Sequence, residues 1–141
     1  MPLVIVGTAD PIGFSDRVRG AFNGGTSTPI LSWNCAAGLS GVNAAGLDVY
    51  RMICPPPAPG AFSPPVGATL VDAISVINGE APDRTLLLVH GAHRMLESFE
   101  AIQSALNVRD SFKATRKTLV FLAPGVKLPL ELSNEVLSID D

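Results

Sequence analysis

Thr85-Leu86-Leu87-Leu88-Val89, turned by His90-Gly91-Ala92-His93, is the stretch on which the fold depends. A short continuous apolar run of this kind suits a strand buried on both faces, the habit of parallel sheets. Two similar runs lie on either side of it: Leu3-Val4-Ile5-Val6, ended by Gly7, and Thr118-Leu119-Val120-Phe121-Leu122-Ala123, stopped by Pro124-Gly125. Pro29 to Trp33 reads as another strand, and Val136 to Ile139 as a short last one. Asp48 to Ile53 reads as an edge strand, with Gly38, Gly41 and Gly46 marking a mobile loop before it.

Helical spacing fills the intervals. Phe14, Val18, Ala21 and Phe22 recur on one face, with Ser15 placed to cap, Asp16 in the first turn and Asn23-Gly24-Gly25 closing the helix. Thr69 caps a second helix whose stripe is Leu70, Ala73, Ile74 and Ile77. Met95, Phe99, Ile102 and Leu106 form a third, with Glu97 and Glu100 early and Arg109 late, an order that complements the helix dipole. Residues 110–117 read as a short basic helical turn, and Leu128 to Asn134 as a turn or short helix. Strands alternating with amphipathic helices predict a three-layer α/β fold with a mostly parallel sheet, since crossovers of this length are right-handed and cover both faces.

At 141 residues the chain has the size of one compact domain, 1–141. An apolar share of 47 % against 16 % charged residues supplies a core and excludes a disordered chain. The net charge of -3 offers no global attraction for nucleic acid or for an anionic membrane. No apolar run approaches the roughly 20 residues of a membrane span, and the start lacks the basic leader of a secretory signal, so a cytoplasmic protein is expected. Cys35 and Cys54, without metal-ligand spacing, read as two reduced thiols. Residues 54–67 hold six of the twelve prolines and predict an extended surface loop. It would act either as a polyproline II ligand for an adaptor's partner or, as the absence of flanking basic residues favours, as a stiff connector.

In parallel sheets ligands sit beyond the carboxyl ends of the strands, which directs attention to Gly7-Thr8-Ala9-Asp10-Pro11-Ile12-Gly13-Phe14-Ser15. Gly7, Thr8, Asp10, Gly13 and Ser15 are the candidate ligand loop. It has the position of a phosphate loop but not the content. Five residues separate its glycines instead of four, Phe14 stands where the lysine belongs, and Asp10 sets a carboxylate where phosphate would lie. All three lysines, Lys113, Lys117 and Lys127, fall in the last third of the chain. Arg17 and Arg19 point outward on helical spacing. After the strongest strand a nucleotide hydrolase would carry acids for Mg²⁺ and water, whereas His90 and His93 stand there. These are the strand-end candidates, and no third ligand at a recognisable spacing argues for a metal. Arg109, Lys113, Arg116 and Lys117 form a candidate basic patch, read as a solvated helix face anchored by Phe112 because no aromatics interleave to stack bases. No residue is assigned a catalytic role.

Leu86 to Leu96, Thr118 to Pro124, Lys127-Leu128-Pro129-Leu130-Glu131-Leu132 and Val136 to Asp140 together resemble the N-terminal domain of a little-characterised AAA+ ATPase family found in plastids, cyanobacteria, other bacteria and phages. Ile30 to Trp33 with Gly38-Leu39 is similar to that family's Trp-x-x-x-x-Gly-Leu stretch. The match covers Arg84 to Asp141 well, residues 30–40 weakly and the remainder hardly at all. Gly91 departs from the family's Asp, and the acidic start of the first helix is thinned to Asp16-Arg17. Only His93, Pro129 and Glu131 carry over residue by residue. The resemblance implies a RecA/AAA-like sheet with a degenerate phosphate loop, in a non-catalytic domain preceding an ATPase module that would begin after Asp141. It further implies regulation, oligomerisation or partner binding as the function, with Mg-ATP needed only by the full-length protein and no cofactor by this domain. The partners would be its own ATPase module, another protein or further copies of itself. The alternatives are a nucleotide-binding or hydrolytic enzyme with an unorthodox site around Gly7 to Ser15, Asp10 facing His90 or His93 across the strand ends, and a stand-alone adaptor docking through the proline loop.

Overall fold

The computed structural model describes residues 2–21, 28–54, 60, 67–92, 99–124 and 137–140. Among them six strands form one sheet and four helices pack on it. In chain order these are β1 (Leu3–Gly7), α1 (Pro11–Ala21), β2 (Ile30–Asn34), β3 (Gly38–Gly41), α2 (Ala44–Ile53), α3 (Leu70–Glu80), β4 (Leu86–His90), α4 (Phe99–Thr115), β5 (Thr118–Ala123) and β6 (Leu137–Asp140). The spatial order is β3-β2-β4-β5-β1-β6. Only β2 and β3 pair antiparallel; every other neighbour is parallel. Without the β3 hairpin, the five parallel strands keep the first between the fourth and the fifth, the RecA/AAA-like arrangement expected from the resemblance.

Alternation along each strand sorts the side chains into two layers. Leu3 and Ile5, Leu31 and Trp33, Leu87 and Val89, and Leu119 and Phe121 face the larger core, where Ile53, Ile74, Ile77, Ala105 and Phe112 of α2, α3 and α4 close over them. Val6, Ile30, Leu88, Val120 and Leu122 face the opposite side, where Phe14 and Val18 of α1 pack. The three-layer α/β prediction therefore holds. α1 is the thin layer: it buries none of its eleven residues fully.

Several local expectations are corrected. Residues 48–53 are helical because Asn43 caps α2: its Oδ1 accepts from the Gly46 N–H at 2.7 Å and the Ile30 N–H at 3.0 Å, while its Nδ2 donates to the Thr28 carbonyl at 2.8 Å. This one amide ties the start of the helix to the start of β2. Gly38, Gly41 and Gly46 do not mark a mobile loop, since the first two bound β3 and the third is buried in α2. The basic turn at 110–117 is the end of α4, which runs unbroken to Thr115. There Arg116 adopts φ 58° and closes the helix in a Schellman turn, Lys117 N–H donating to Phe112 O at 2.9 Å and Arg116 N–H to Lys113 O at 3.4 Å. Thr69 caps α3 as predicted, accepting from the Asp72 N–H at 3.1 Å. Met95, residues 22–25, the turn at 128–134 and nearly all of the proline segment 54–67 lie outside the described residues.

The Trp33…Gly38-Leu39 motif proves to be a structural unit. Trp33 and Leu39 are partners across the hairpin, and Gly38 takes the φ of 73° that its turn needs. The buried indole N–H donates to the Gly67 carbonyl at 2.8 Å. Gly67 N–H in turn donates to Asp72 Oδ2 at 2.5 Å, so the chain entering α3 is held from both sides.

Candidate functional site

β1 ends at Gly7, and the loop that follows is folded back onto its neighbour: the Thr8 N–H donates to Ala123 O of β5 at 2.9 Å. Thr8 is buried, and its Oγ1 accepts from the Asp10 N–H at 3.1 Å. This turn delivers Asp10 to the start of α1. The Asp10 carbonyl accepts the first helical bond, from Phe14 at 3.0 Å, and its carboxylate Oδ1 accepts from the Gly13 N–H at 3.0 Å. Pro11 takes the first helical position, where its missing N–H costs nothing. Asp10, rather than Ser15, is therefore the cap, and Ser15 lies within the helix with Asp16 outside its first turn.

Gly13 is part of the same device. A Cβ on it would stand 2.8 Å from Asp10 Cγ and closer still to Oδ2, so the missing side chain is what lets the carboxylate fold over the helix end. The Gly13 N–H, of the kind a phosphate loop would offer to an anion, is thus met by an anion of the chain's own. A second unit charge about 4 Å away would meet repulsion of roughly 1 kcal/mol in water and about 4 kcal/mol at an effective dielectric of 20. The attraction of a helix start for an anion, ~0.3–2 kcal/mol, does not clearly exceed that. Arg17 and Arg19 are exposed, Arg17 lying 5.9 Å from the Phe14 ring and Arg19 3.5 Å from Asp16.

His90 ends β4 half-buried, on the same sheet face as Leu86 and Leu88, and is paired in register with Leu122. β5 lies between β4 and β1, so His90 at the end of β4 and the end of β1, from which the chain turns to Asp10, are about two strand spacings, roughly 10 Å, apart. They stand on either side of the end of β5. Gly91 turns the chain at φ 70°, and a Cβ there would touch nothing within 4 Å. His93 lies outside the described residues. Burial lowers the His90 pKa from its ordinary value. The folded state then binds fewer protons than the unfolded chain, so stability present above the unfolded pKa of about 6.5 is lost as pH falls through the folded value. The expected result is that His90→Gln flattens the fall in urea midpoint between pH 7 and pH 5; parallel falls in the two proteins would show His90 uninvolved.

The basic patch separates. Arg109 Nε lies 3.5 Å from Asp110 Oδ1, and Lys113 and Arg116 are exposed. Lys117 turns inward: it is buried, and its Nζ donates to the Ile77 and Asn78 carbonyls at 2.9 Å each, capping the last turn of α3. Among the described residues, no three His, Cys, Asp or Glu gather to hold a metal ion. Cys35 is exposed and Cys54 half-buried, its thiol pKa raised by burial first and then by Asp72 and Glu80. No described helix is long and apolar enough to cross a membrane.

Asp10 was legible as an acid in the wrong place for phosphate, but its role as cap required the backbone path set by Thr8. Asn43 and the inward turn of Lys117 had no signal in local spacing. Against the curated proteins and the solved structures no match is found. Among protein-family models, the one described as the N-terminal domain of SpoVK-like AAA ATPases matches residues 1–140. That span takes in the first strand, the self-capped loop and the Trp33 hairpin as well as the second half, and the chain belongs to the family of SpoVK-like AAA ATPase N-terminal domains.

Proposed function

We propose that this domain performs no nucleotide chemistry of its own and serves an AAA+ ATPase through regulation, oligomerisation or partner binding. The observation that carries this reading is the Asp10 carboxylate over the Gly13 N–H, in the position where a phosphate loop would receive its ligand. Family membership supplies the ATPase. Mg-ATP belongs, on this reading, to the ATPase module, with which the domain's surfaces engage.

Calorimetric titration of the domain with Mg-ATP is expected to give no binding tighter than about millimolar, equivalent to ~4 kcal/mol. Phosphate release should stay at background in the wild type and in Asp10→Ala alike. Tighter binding, or turnover that Asp10→Ala abolishes, would overturn the proposal in favour of an enzyme working with Asp10 and His90 across the strand ends.

A further inference from the structure

The pair Asn78-Gly79 has the composition of a helix stop, yet α3 carries it inside its last turn and runs on to Glu80. Asn and Gly are among the poorer helix formers, and a last turn built from them frays unless something holds it. What holds it is Lys117, whose Nζ donates to the Ile77 and Asn78 carbonyls at 2.9 Å each, while the Ala81 N–H adds a longer bond to Ile77 O at 3.3 Å. The Asn78 side-chain carbonyl gains nothing from this arrangement: its Oδ1 is buried and makes no hydrogen bond among the described residues. Gly79 is bare on its open side, where a Cβ would meet nothing within 4 Å. Such a pair has a chemistry of its own. In a non-helical backbone the nitrogen that follows an Asn can reach its Cγ, and a Gly puts no side chain in the way. A helix turns that nitrogen away and engages its proton with the carbonyl one turn back.

We propose that Asn78 is a modification site, converted to aspartate and isoaspartate by ring closure with Gly79, and that Lys117 keeps the site shut by holding the end of α3 helical. The reaction proceeds when that last turn opens locally. The Gly79 nitrogen bonds to Asn78 Cγ and gives up its proton, and the side-chain nitrogen leaves as ammonia. Solvent water then opens the cyclic imide at one carbonyl or the other; nothing is oxidised or reduced, and water is the only co-reactant. Either product bears a carboxylate at the C-terminal end of α3, where the helix dipole disfavours it. Isoaspartate also reroutes the main chain through the former side chain, so the carbonyl that Lys117 held at Asn78 leaves the helix ladder and the turn cannot close as before. The change is one-way, and it records how often the end of α3 has opened.

The test incubates the full chain at neutral pH and follows Asn78 by peptide mass spectrometry, which reads the exchange of ammonia for water, and by isoaspartyl methyltransferase labelling. Folded wild type is expected to convert many-fold more slowly than the same chain in denaturing urea. Lys117→Met, which keeps the packed stem, should speed conversion by about 5–30-fold, the change in an opening equilibrium that loss of one such contact produces. Gly79→Ala, which the open space accepts, should suppress conversion in the Lys117→Met background. Ile5→Val is the control: it lowers stability from within β1 to a similar degree and leaves the bonds to the α3 carbonyls in place, so the rate at Asn78 should not change. Conversion of Lys117→Met at the wild-type rate, equal acceleration by Ile5→Val, or folded wild type reacting as fast as the chain in urea would each overturn the proposal.

Discussion

Gly46→Ala is expected to destabilise the domain by roughly 3–5 kcal/mol, a large part of the ~5–15 kcal/mol that holds a domain of this size together. The cause is the approach of α2 to β2. A Cβ at position 46 would stand 2.8 Å from the Ile30 carbonyl carbon, closer still to its oxygen, and 2.9 Å from Asn43 Oδ1. None of these atoms is the loose end of a flexible side chain. Ile30 O accepts the Val42 N–H at 2.8 Å, and Asn43 holds three hydrogen bonds. To make room, α2 must leave the sheet, which combines an overpacking cost of about 1–3 kcal/mol with loss of hydrogen bonds worth ~1 kcal/mol each. Gly20→Ala is the matched comparison. It is also helical, its Cβ would meet nothing within 4 Å, and it should raise stability by about 0.5–1 kcal/mol through lost freedom in the unfolded chain. Urea midpoints of the two variants should therefore move in opposite directions. A Gly46→Ala protein with the wild-type midpoint would show that α2 does not sit where Asn43 places it.

The same region shows where sequence reasoning stops. β1, β4 and β5 were legible because a central parallel strand writes its burial into consecutive residues, and Leu3–Val6, Leu86–Val89 and Leu119–Ala123 do so. Residues 48–53 misled because Val49, Tyr50 and Ile53 have the side chains of a strand, and their pattern is too short to separate the two periods. What makes them helical is Asn43 bonding to Ile30, thirteen residues back, together with a glycine small enough to meet a carbonyl. Both are contacts between distant parts of the chain. The candidate site divides in the same way. That Asp10 opposes a phosphate follows from its charge, but that it caps α1 depends on Thr8 bonding to β5 and on the space above Gly13. Spacing placed the cap at Ser15, five residues after Asp10, because the apolar stripe begins only at Phe14 whereas the helix begins at Pro11.

Lys117→Ala is the second large effect, expected at about 3 kcal/mol, although the residue reads in sequence as one of four surface cations. The left-handed turn at Arg116 reverses its direction and sends its side chain under α3. There the stem is packed and the ammonium meets Ile77 O, which also accepts from the Ala81 N–H at 3.3 Å, and Asn78 O in the last turn of the helix. Truncation opens a cavity and removes both charge-assisted bonds, each worth ~1.5–3 kcal/mol before the cost of burying the charge is set against it. That cost is real. Burial lowers the Lys117 pKa, against an opposing pull from Asp83, so the ammonium is less favoured here than in water. Lys117→Met keeps the stem and discards both the charge and its penalty, and should lose no more than ~1–2 kcal/mol. The pH dependence separates the two contributions. With the folded pKa below the unfolded value, the burial penalty is full at neutral pH and is relieved as pH rises toward about 10.4, so wild-type stability gains on the alkaline side relative to Lys117→Met. Urea midpoints of the three proteins at pH 7 and pH 9.5 measure this directly. If Lys117→Ala behaves as an exposed substitution, within ~0.5 kcal/mol of wild type, the ammonium does not cap α3 and the side chain belongs on the surface with Lys113 and Arg116.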